Sequence, residues 1–302
     1  MKKIALIISF VALVIGCKDS KPVQQIDADS EEWISLFNGK DLNDWNIKIA
    51  GYEVGDNYQN TFRVEDSILK VVYKDYDMFT NQFGHIYYKK PFSYYKVKLD
   101  YRFTGEQVPG GPSWAFRNSG IMLHSQSATS NSLNQNFPVS IEMQLLGGNG
   151  QEERATGNLC TPGTIVRMND SINYNHCITS SSKTYHGDQW VHAEAIVLGG
   201  EKIIHIIEND TVISYLKPMI GGGLLTKGED EEWKNNGVEN KEEWLAKDEE
   251  PLATGYIALQ AESHSIDFKN IQLLNLSGCM DKKAKNYKSY YVKEDNSKCI
   301  YN

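Results

Sequence analysis

Apolar and polar residues alternate with a period of two along much of this chain, and few windows carry a helical period. The longest run, Tyr94 to Phe103, places Tyr95, Val97, Leu99, Tyr101 and Phe103 on one side and Lys96, Lys98, Asp100 and Arg102 on the other. That pattern predicts a strand with one face in a core and one in water. Thr61–Val64 and Ile68–Val72 flank Glu65-Asp66-Ser67 and read as a hairpin. Trp190–Leu198, Ile203–Glu208 and Val212–Leu216, separated by Gly199-Gly200 and Asn209-Asp210, read as a three-strand meander. Many short strands punctuated by turn residues predict an all-β protein built as a β-sandwich.

Three segments put chemistry on the second face of their strands. In Ser140–Leu146, Ile141, Met143 and Leu145 point one way and Ser140, Glu142 and Gln144 the other, and the strand runs out at Gly147-Gly148. Over Asn118–His124 the same alternation gives Asn118, Met122 and His124 a common face. Over Gly255–His264, Ile257, Leu259 and Ala261 oppose Tyr256, Ala258, Gln260, Glu262 and His264. Inner faces make the core of a sandwich, so a polar second face is expected to be exposed, carrying Glu142, Gln144, Gln260, Glu262 and His124.

The N-terminus bears on where the protein works. Lys2-Lys3 precede an apolar run from Ile4 to Ile15 that meets Gly16-Cys17 and then the polar Lys18–Pro22. By pattern this is a bacterial lipoprotein signal, with residues 1–16 removed and lipid placed on the Cys17 thiol. The run is shorter than the roughly 18 apolar residues of a spanning helix. The expected location is therefore the cell envelope, with the lipid as membrane anchor. Residues 17–32 read as a polar tether, 33–276 as one β domain and 277–302 as a C-terminal module. Outside the cytoplasm the remaining cysteines are expected to pair by spacing as Cys160 with Cys177 and Cys279 with Cys299.

A net charge of −8 argues against nucleic acid or anionic lipid as a ligand and suits a neutral, hydroxyl-rich one. Between Glu229 and Glu250, ten carboxylates stand against three lysines, with Trp233, Trp244 and Leu245 among its few apolar residues. This segment reads as a solvated, partly helical excursion with little to bury, placed to act as a lid.

Taken together, Leu36–Trp45 (LFNGKDLNDW), Asn118-Ser-Gly-Ile121, Glu142-Met-Gln144, Gly255-Tyr-Ile-Ala-Leu-Gln260 and Phe268-Lys-Asn-Ile271 resemble the 3-keto-disaccharide hydrolases, also described as 3-keto-α-glucoside 1,2-lyase/3-keto-2-hydroxyglucal hydratases. The resemblance spans about Trp33 to Leu276. It implies a concanavalin A-like jelly roll and an elimination and rehydration on sugars oxidised at C3. The family often has His-Gly after the final Leu-Gln, where this chain has Ala261-Glu262-Ser263-His264, so the roles of Glu262 and His264 stay open. The tail from Gly278 to Cys299 resembles a short Cys-bounded module at the ends of exported Bacteroidota proteins. Its Asp281, Asn286 and Asp295 are oxygen donors of the kind calcium takes, although a disulfide-closed knot accounts for the module without metal.

The implied reaction needs a base for the C2 proton, an acid for the group leaving C1, and donors for the enolate oxygen. Glu142 is the candidate base and His124 the candidate acid or relay. Their competing roles are a surface carboxylate and a histidine hydrogen-bonded within the sheet. Arg117, Asn118 and Gln144 are candidate hydroxyl donors and Trp114 a candidate stacking platform. Gln260, Glu262, His264, His85 and His186 are further candidates for substrate contact, the two last lying beside glycines in segments that also read as plain loops. No cofactor is assigned, and a divalent metal and the oligomeric state are left open. A non-catalytic carbohydrate-binding jelly roll is the alternative, using Trp114, Arg117 and Asn118 without a base.

Overall fold

The computed structural model describes residues 29–222 and 234–301. In chain order the strands are β1 (Ile34–Ser35), β2 (Trp45–Ile49), β3 (Phe62–Glu65), β4 (Ile68–Val71), β5 (Gly84–Tyr88), β6 (Tyr94–Gln107), β7 (Asn118–Ser125), β8 (Ile141–Leu146) and β9 (Asn158–Cys160). They continue as β10 (Thr164–Met168), β11 (Ser171–Asn173), β12 (Val191–Leu198), β13 (Lys202–Ile207), β14 (Asp210–Ile220), β15 (Tyr256–Ala261), β16 (His264–Asn275), β17 (Ser277–Gly278) and β18 (Lys293–Glu294). A short helix, α1, covers Lys241–Leu245.

Two antiparallel sheets face each other in a concanavalin A-like jelly-roll sandwich. The larger runs β11-β10-β14-β13-β12-β6-β16-β4-β3, with β1 added beside β16; the smaller runs β2-β5-β15-β7-β8-β9. The expected hairpin is β3–β4 and the expected meander is β12–β13–β14. Strict alternation fixes register wherever one face is buried. Tyr95, Val97, Leu99, Tyr101 and Phe103 of β6 are buried, and across from them Ile121, Ile141, Met143, Leu145, Ile257 and Leu259 close the same core.

The outward face of the smaller sheet departs from expectation: it is covered. Lys48, His85, Gln260 and Glu142 point out of the sandwich yet are all nearly inaccessible. Segment 126–139 lies across β2 and β5, its backbone accepting the Lys48 ammonium at Leu133 O (2.7 Å). Its own turn is tied by Gln135 donating to the Gln126 side chain, which accepts in turn from Val139 N. The polar residues here follow the alternation, but long connections roof them over.

Part of that roof is the acidic segment. Its beginning, with Trp233, lies outside the described residues, as do the signal, Cys17 and most of the tether. From residue 234 onward the segment does not stand off in solvent. Val238 and Trp244 are buried against the core, and Gly237 (φ +67°) passes so close to Asn134 that a Cβ would overlap its carbonyl. Two apolar anchors were enough to dock a chain whose composition reads as solvated. Residues 277–301 form the disulfide-closed module, with β17 and β18 paired in parallel and Cys279 bonded to Cys299. Asp281 accepts from Lys283 N and Tyr301 Oη, Asn286 bonds Ile300 N and Lys298 O, and Asp295 pairs with Lys298. Each of these side chains is engaged by its own turn of the module.

If Trp244 is a core residue, Trp244→Ala should cost about 3 kcal/mol or more, read as a lowered urea midpoint at unchanged slope. An unshifted midpoint would return this segment to the solvent.

Candidate functional site

A cavity of about 460 Å³ opens on the outward face of the smaller sheet, over β7, β8 and β9. Register places its floor. Glu142 lies opposite Met122 on one side and Cys160 on the other, and Gln144 opposite Gly120 and Asn158. Gly120 is what admits the carboxylate, because a Cβ there would stand 2.5 Å from Glu142 Oε1 and 2.7 Å from its Cγ. Asn118 enters from the start of β7 and Glu262 from the turn between β15 and β16.

The walls come from connections. Trp114, in a short 3₁₀ turn after Pro112, stacks on Phe83 (centroids 5.8 Å apart, planes 13° apart) and remains 53% exposed. Phe137 packs beside the same Phe83 ring. Pro162, His176, Asn236 and the Cys160–Cys177 disulfide complete the lining. His176 Nδ1 accepts from Thr161 N (3.2 Å), which fixes the ring at the mouth. Surrounding wall pulls its pKa down even though the residue keeps a solvent-facing side.

The floor is short of partners. Glu262 Oε2 and Asn118 Oδ1 are buried with no hydrogen bond among the described residues, and so, under the roof beyond the cavity wall, are His85 Nε2 and both amide atoms of Gln260. Buried polar groups are nearly always bonded, so such a cluster marks where a polar ligand supplies the missing partners. Burial raises the Glu142 pKa to about 8, and burial together with the Glu142 charge holds Glu262 well above the carboxylate range. Two desolvated carboxyls that feel each other give up their protons in separate steps, so over a window of pH the pair holds one proton: one member a base, the other an acid.

A family model, that of the 3-keto-alpha-glucoside-1,2-lyase-like domain, matches residues 32–274. The chain belongs to that family. No curated protein matches it. Among solved structures, two presumed glycosyl hydrolases of Parabacteroides distasonis ATCC 8503 are similar. One is 18% identical with a TM-score of 0.45, the match covering 81% of this chain and 100% of the other; the second is 20% identical with a TM-score of 0.44, covering 81% and 94%. The carbohydrate-binding module CBM66 of Bacillus subtilis is 9% identical with a TM-score of 0.37, covering 64% and 82%.

Of the residues singled out in this 3-keto-alpha-glucoside-1,2-lyase-like domain, Trp114, Asn118, Glu142, Gln144 and Glu262 meet at the cavity. Gln144 Oε1 accepts from Asn158 Nδ2 (2.9 Å), leaving its own amide nitrogen for a ligand. Gln260 and His85 lie on the same face, paired across β15 and β5, but beneath the roof beyond the cavity wall. Burial and then the Lys48 cation depress the His85 pKa to about 3, so its ring is neutral.

Four candidates go elsewhere. His124 turns into the core. Between Tyr256↔Ser125 and Ala258↔Met122, β7 carries one residue more than β15, and His124 (φ +49°) is at this bulge, so the alternation flips. Its ring meets Tyr95 edge-on, its Nε2 reaches Gly199 O (3.1 Å), and burial lowers its pKa to about 4. His264 belongs to the other sheet, because the chain turns at Ser263 (φ +73°) and crosses over; the ring is wedged between Phe103 and Phe116. Arg117 is spent on Gly187 O (2.7 Å) and Asp188 (2.8 Å), and His186 Nδ1 accepts from Gly150 N (3.0 Å). Both brace the loops beside the cavity. Conversely, His176, Phe137, Pro162 and Asn236 line it without having been singled out. The one available signal was His176 preceding a cysteine expected to pair.

The raised carboxyl pKa values predict a pH dependence of stability. The unfolded chain ionises Glu142 near 4.5 and the folded one only near 8, so stability present in acid should be lost as pH climbs between those values. Denaturation midpoints from pH 4.5 to 9 should show this decline, and Glu142→Gln should flatten part of it. A variant with the wild-type slope would mean Glu142 is not desolvated.

Proposed function

We propose that the protein cleaves 3-keto-glucosides by elimination followed by rehydration, with Glu142 as base and Glu262 as acid. The observation that carries this reading is the pair of buried carboxyls on one cavity floor, both pushed up by burial and Glu262 further by the Glu142 charge. A carbonyl at C3 acidifies the hydrogen on C2. Glu142 takes that proton, and the electron pair passes into the C2–C3 enolate, whose oxygen can be met by the Asn118 and Gln144 amides. The pair then forms the C1–C2 double bond as the C1–O bond breaks, and Glu262 protonates the departing oxygen. Water next adds across that double bond: its hydroxyl joins C1, its proton goes back to Glu262, and Glu142 gives a proton to C2. The net change is hydrolysis.

A base pKa near 8 is close to the working pH, where proton abstraction is most effective. Glu262, rather than His124, is the acid in this scheme because it shares the cavity with Glu142. A retaining glycosidase would also use two carboxyls, but it would attack C1 and leave C2 alone. A sugar-binding protein without activity would use the Trp114 rim and have no need of ionisable groups held out of water. The same reading takes the lipoprotein-type N-terminus as an envelope signal with anchorage through Cys17, and two disulfides support an oxidising compartment.

With 3-keto-trehalose in heavy water, the released 3-keto-glucose should carry solvent deuterium at C2. Product unlabelled at C2 together with no primary isotope effect from a substrate deuterated at C2 would exclude elimination. Glu142→Gln keeps the shape and removes the base, and is expected to lose about 10²- to 10⁴-fold in rate, while the wild-type rate should rise with pH toward about 8. Full activity in the variant would remove Glu142 from the role.

A further inference from the structure

The net charge of −8 hides a split along the chain: Ser277–Tyr301 holds six lysines against three carboxylates. Three of the six are engaged, Lys288 with Glu32 (2.6 Å), Lys298 with Asp295 (2.8 Å), and Lys293 over the Tyr94 ring. Lys282, Lys283 and Lys285 are exposed and form no ion pair among the described residues. Lys285 N donates to Ile300 O (2.8 Å) and Tyr301 Oη to Asp281 (2.8 Å), which brings Ile300 and Tyr301, 57% and 54% exposed, alongside the segment that carries those lysines. Unpaired ammonium groups beside large exposed apolar side chains fit an anionic interface. We propose that the C-terminal module is the foot on which the protein stands on its membrane, with Lys282, Lys283 and Lys285 on anionic phospholipid headgroups and Ile300 and Tyr301 entering the headgroup layer. The inference rests on the reading of Cys17 as the lipid anchor.

The place where the described chain begins selects this partner. Asp29 accepts from Ser289 N (2.6 Å), Glu32 N donates to Tyr290 Oη (3.4 Å), and the Glu32–Lys288 ion pair adds a third tie. The chain that leads back to Cys17 therefore departs from the module. Cys17 stands twelve residues before Asp29, a separation that spans no more than about 40 Å. A lipid at Cys17 thus holds the basic module, ahead of any other part of the fold, close to the headgroups. The acidic remainder of the chain is repelled by the same surface only within a Debye length, about 10 Å at 0.1 M salt. Strand β16 carries the fold beyond that range, because Asn275 adjoins the module and His264 lies at the other end of the strand, about 35 Å away at a strand's rise per residue. Glu262 lines the cavity two residues before His264. A seated module holds the cavity off the bilayer, open to the soluble phase.

A chain beginning at Cys17 carries its free thiol there, the other four cysteines being paired, so it can be coupled to a maleimide-bearing lipid in vesicles. Trace acylation with a succinimidyl ester, read by peptide mass spectrometry, then reports on each lysine without any substitution in the module. On vesicles of equal parts phosphatidylcholine and phosphatidylglycerol, Lys282, Lys283 and Lys285 should react about fivefold more slowly than on phosphatidylcholine alone, the factor by which protons are enriched over an anionic leaflet. The difference should vanish at about 0.5 M salt, where screening shortens to a few Å. Lys74 is the reference: it is exposed, and its neighbour Tyr73 accepts from Ser263 N (2.9 Å) at the end of β16 remote from the module. Its rate should be the same on both vesicles. Equal rates at the three module lysines on the two vesicles, or an equal slowing of Lys74, overturn the proposal. Slowing of the three by soluble alginate but not by anionic vesicles assigns the patch to an acidic glycan and overturns it as well. The anchor is tested apart, by the mass of the Cys17 peptide from cell envelopes. An unmodified cysteine removes the anchor, and the foot with it, whatever the vesicles show.

Discussion

Everything at this site depends on keeping water away from one carboxyl group. Glu142 stands in the middle of a sheet, on the face opposite the core, and an ordinary sandwich would leave it solvated and unremarkable at a pKa near 4.5. Two arrangements prevent that. Gly120, diagonally across from it on β7, gives up the volume the side chain occupies, and the connections carrying Trp114, Phe137, His176 and Asn236 close over it. The fold thus spends stability on a desolvated acid, a cost of the kind that active sites accept in exchange for a group tuned to work near neutral pH.

That cost has to be offset by whatever holds the roof down, and the roof is secured at several independent points. Lys48 donates to the backbone of segment 126–139, Gln126 and Gln135 knit that segment to itself, and Val238 and Trp244 pin the acidic segment to the core. Arg117 and Arg154 do the same work beside the cavity by capturing backbone carbonyls of neighbouring loops. Arg117 looked like a ligand-binding residue because it stands next to Asn118. Its positive φ (+43°) instead turns it away toward Gly187 and Asp188.

Legibility in the sequence followed the range of the interaction that sets each position. Where a side chain's direction is set by the pleat alone, reading was reliable: the core faces of β6 and β8, the neighbours Glu142 and Gln144, and the hairpin and meander all follow a period of two. His124 and His264 failed for opposite local reasons, a single inserted residue in β7 and a crossover at Ser263, each of which reverses or relocates the face that strict alternation assigns. The cavity walls were illegible for a different reason. Phe137, Pro162, His176 and Asn236 are brought together by contacts between segments far apart in sequence, and no local pattern encodes that meeting. Composition likewise misled for residues 234–250, since two well-placed apolar side chains outweigh a run of carboxylates that can all face outward.

The disulfide in the wall ties the cavity covalently to a neighbouring loop. Strand β9 is only three residues long, and beyond its pairing with β8 it is tied outward by hydrogen bonds exchanged between Leu159 and Ile178 and by the Cys160–Cys177 bond. His176 precedes those ties, at the end of the loop the disulfide closes, where its ring also accepts from Thr161 N. Cross-linking adds a covalent tie to these hydrogen bonds and restricts the unfolded chain. Covalent closure at this wall therefore supports the same end as Gly120 on the floor: a cavity whose geometry persists although its most important side chain would be better solvated.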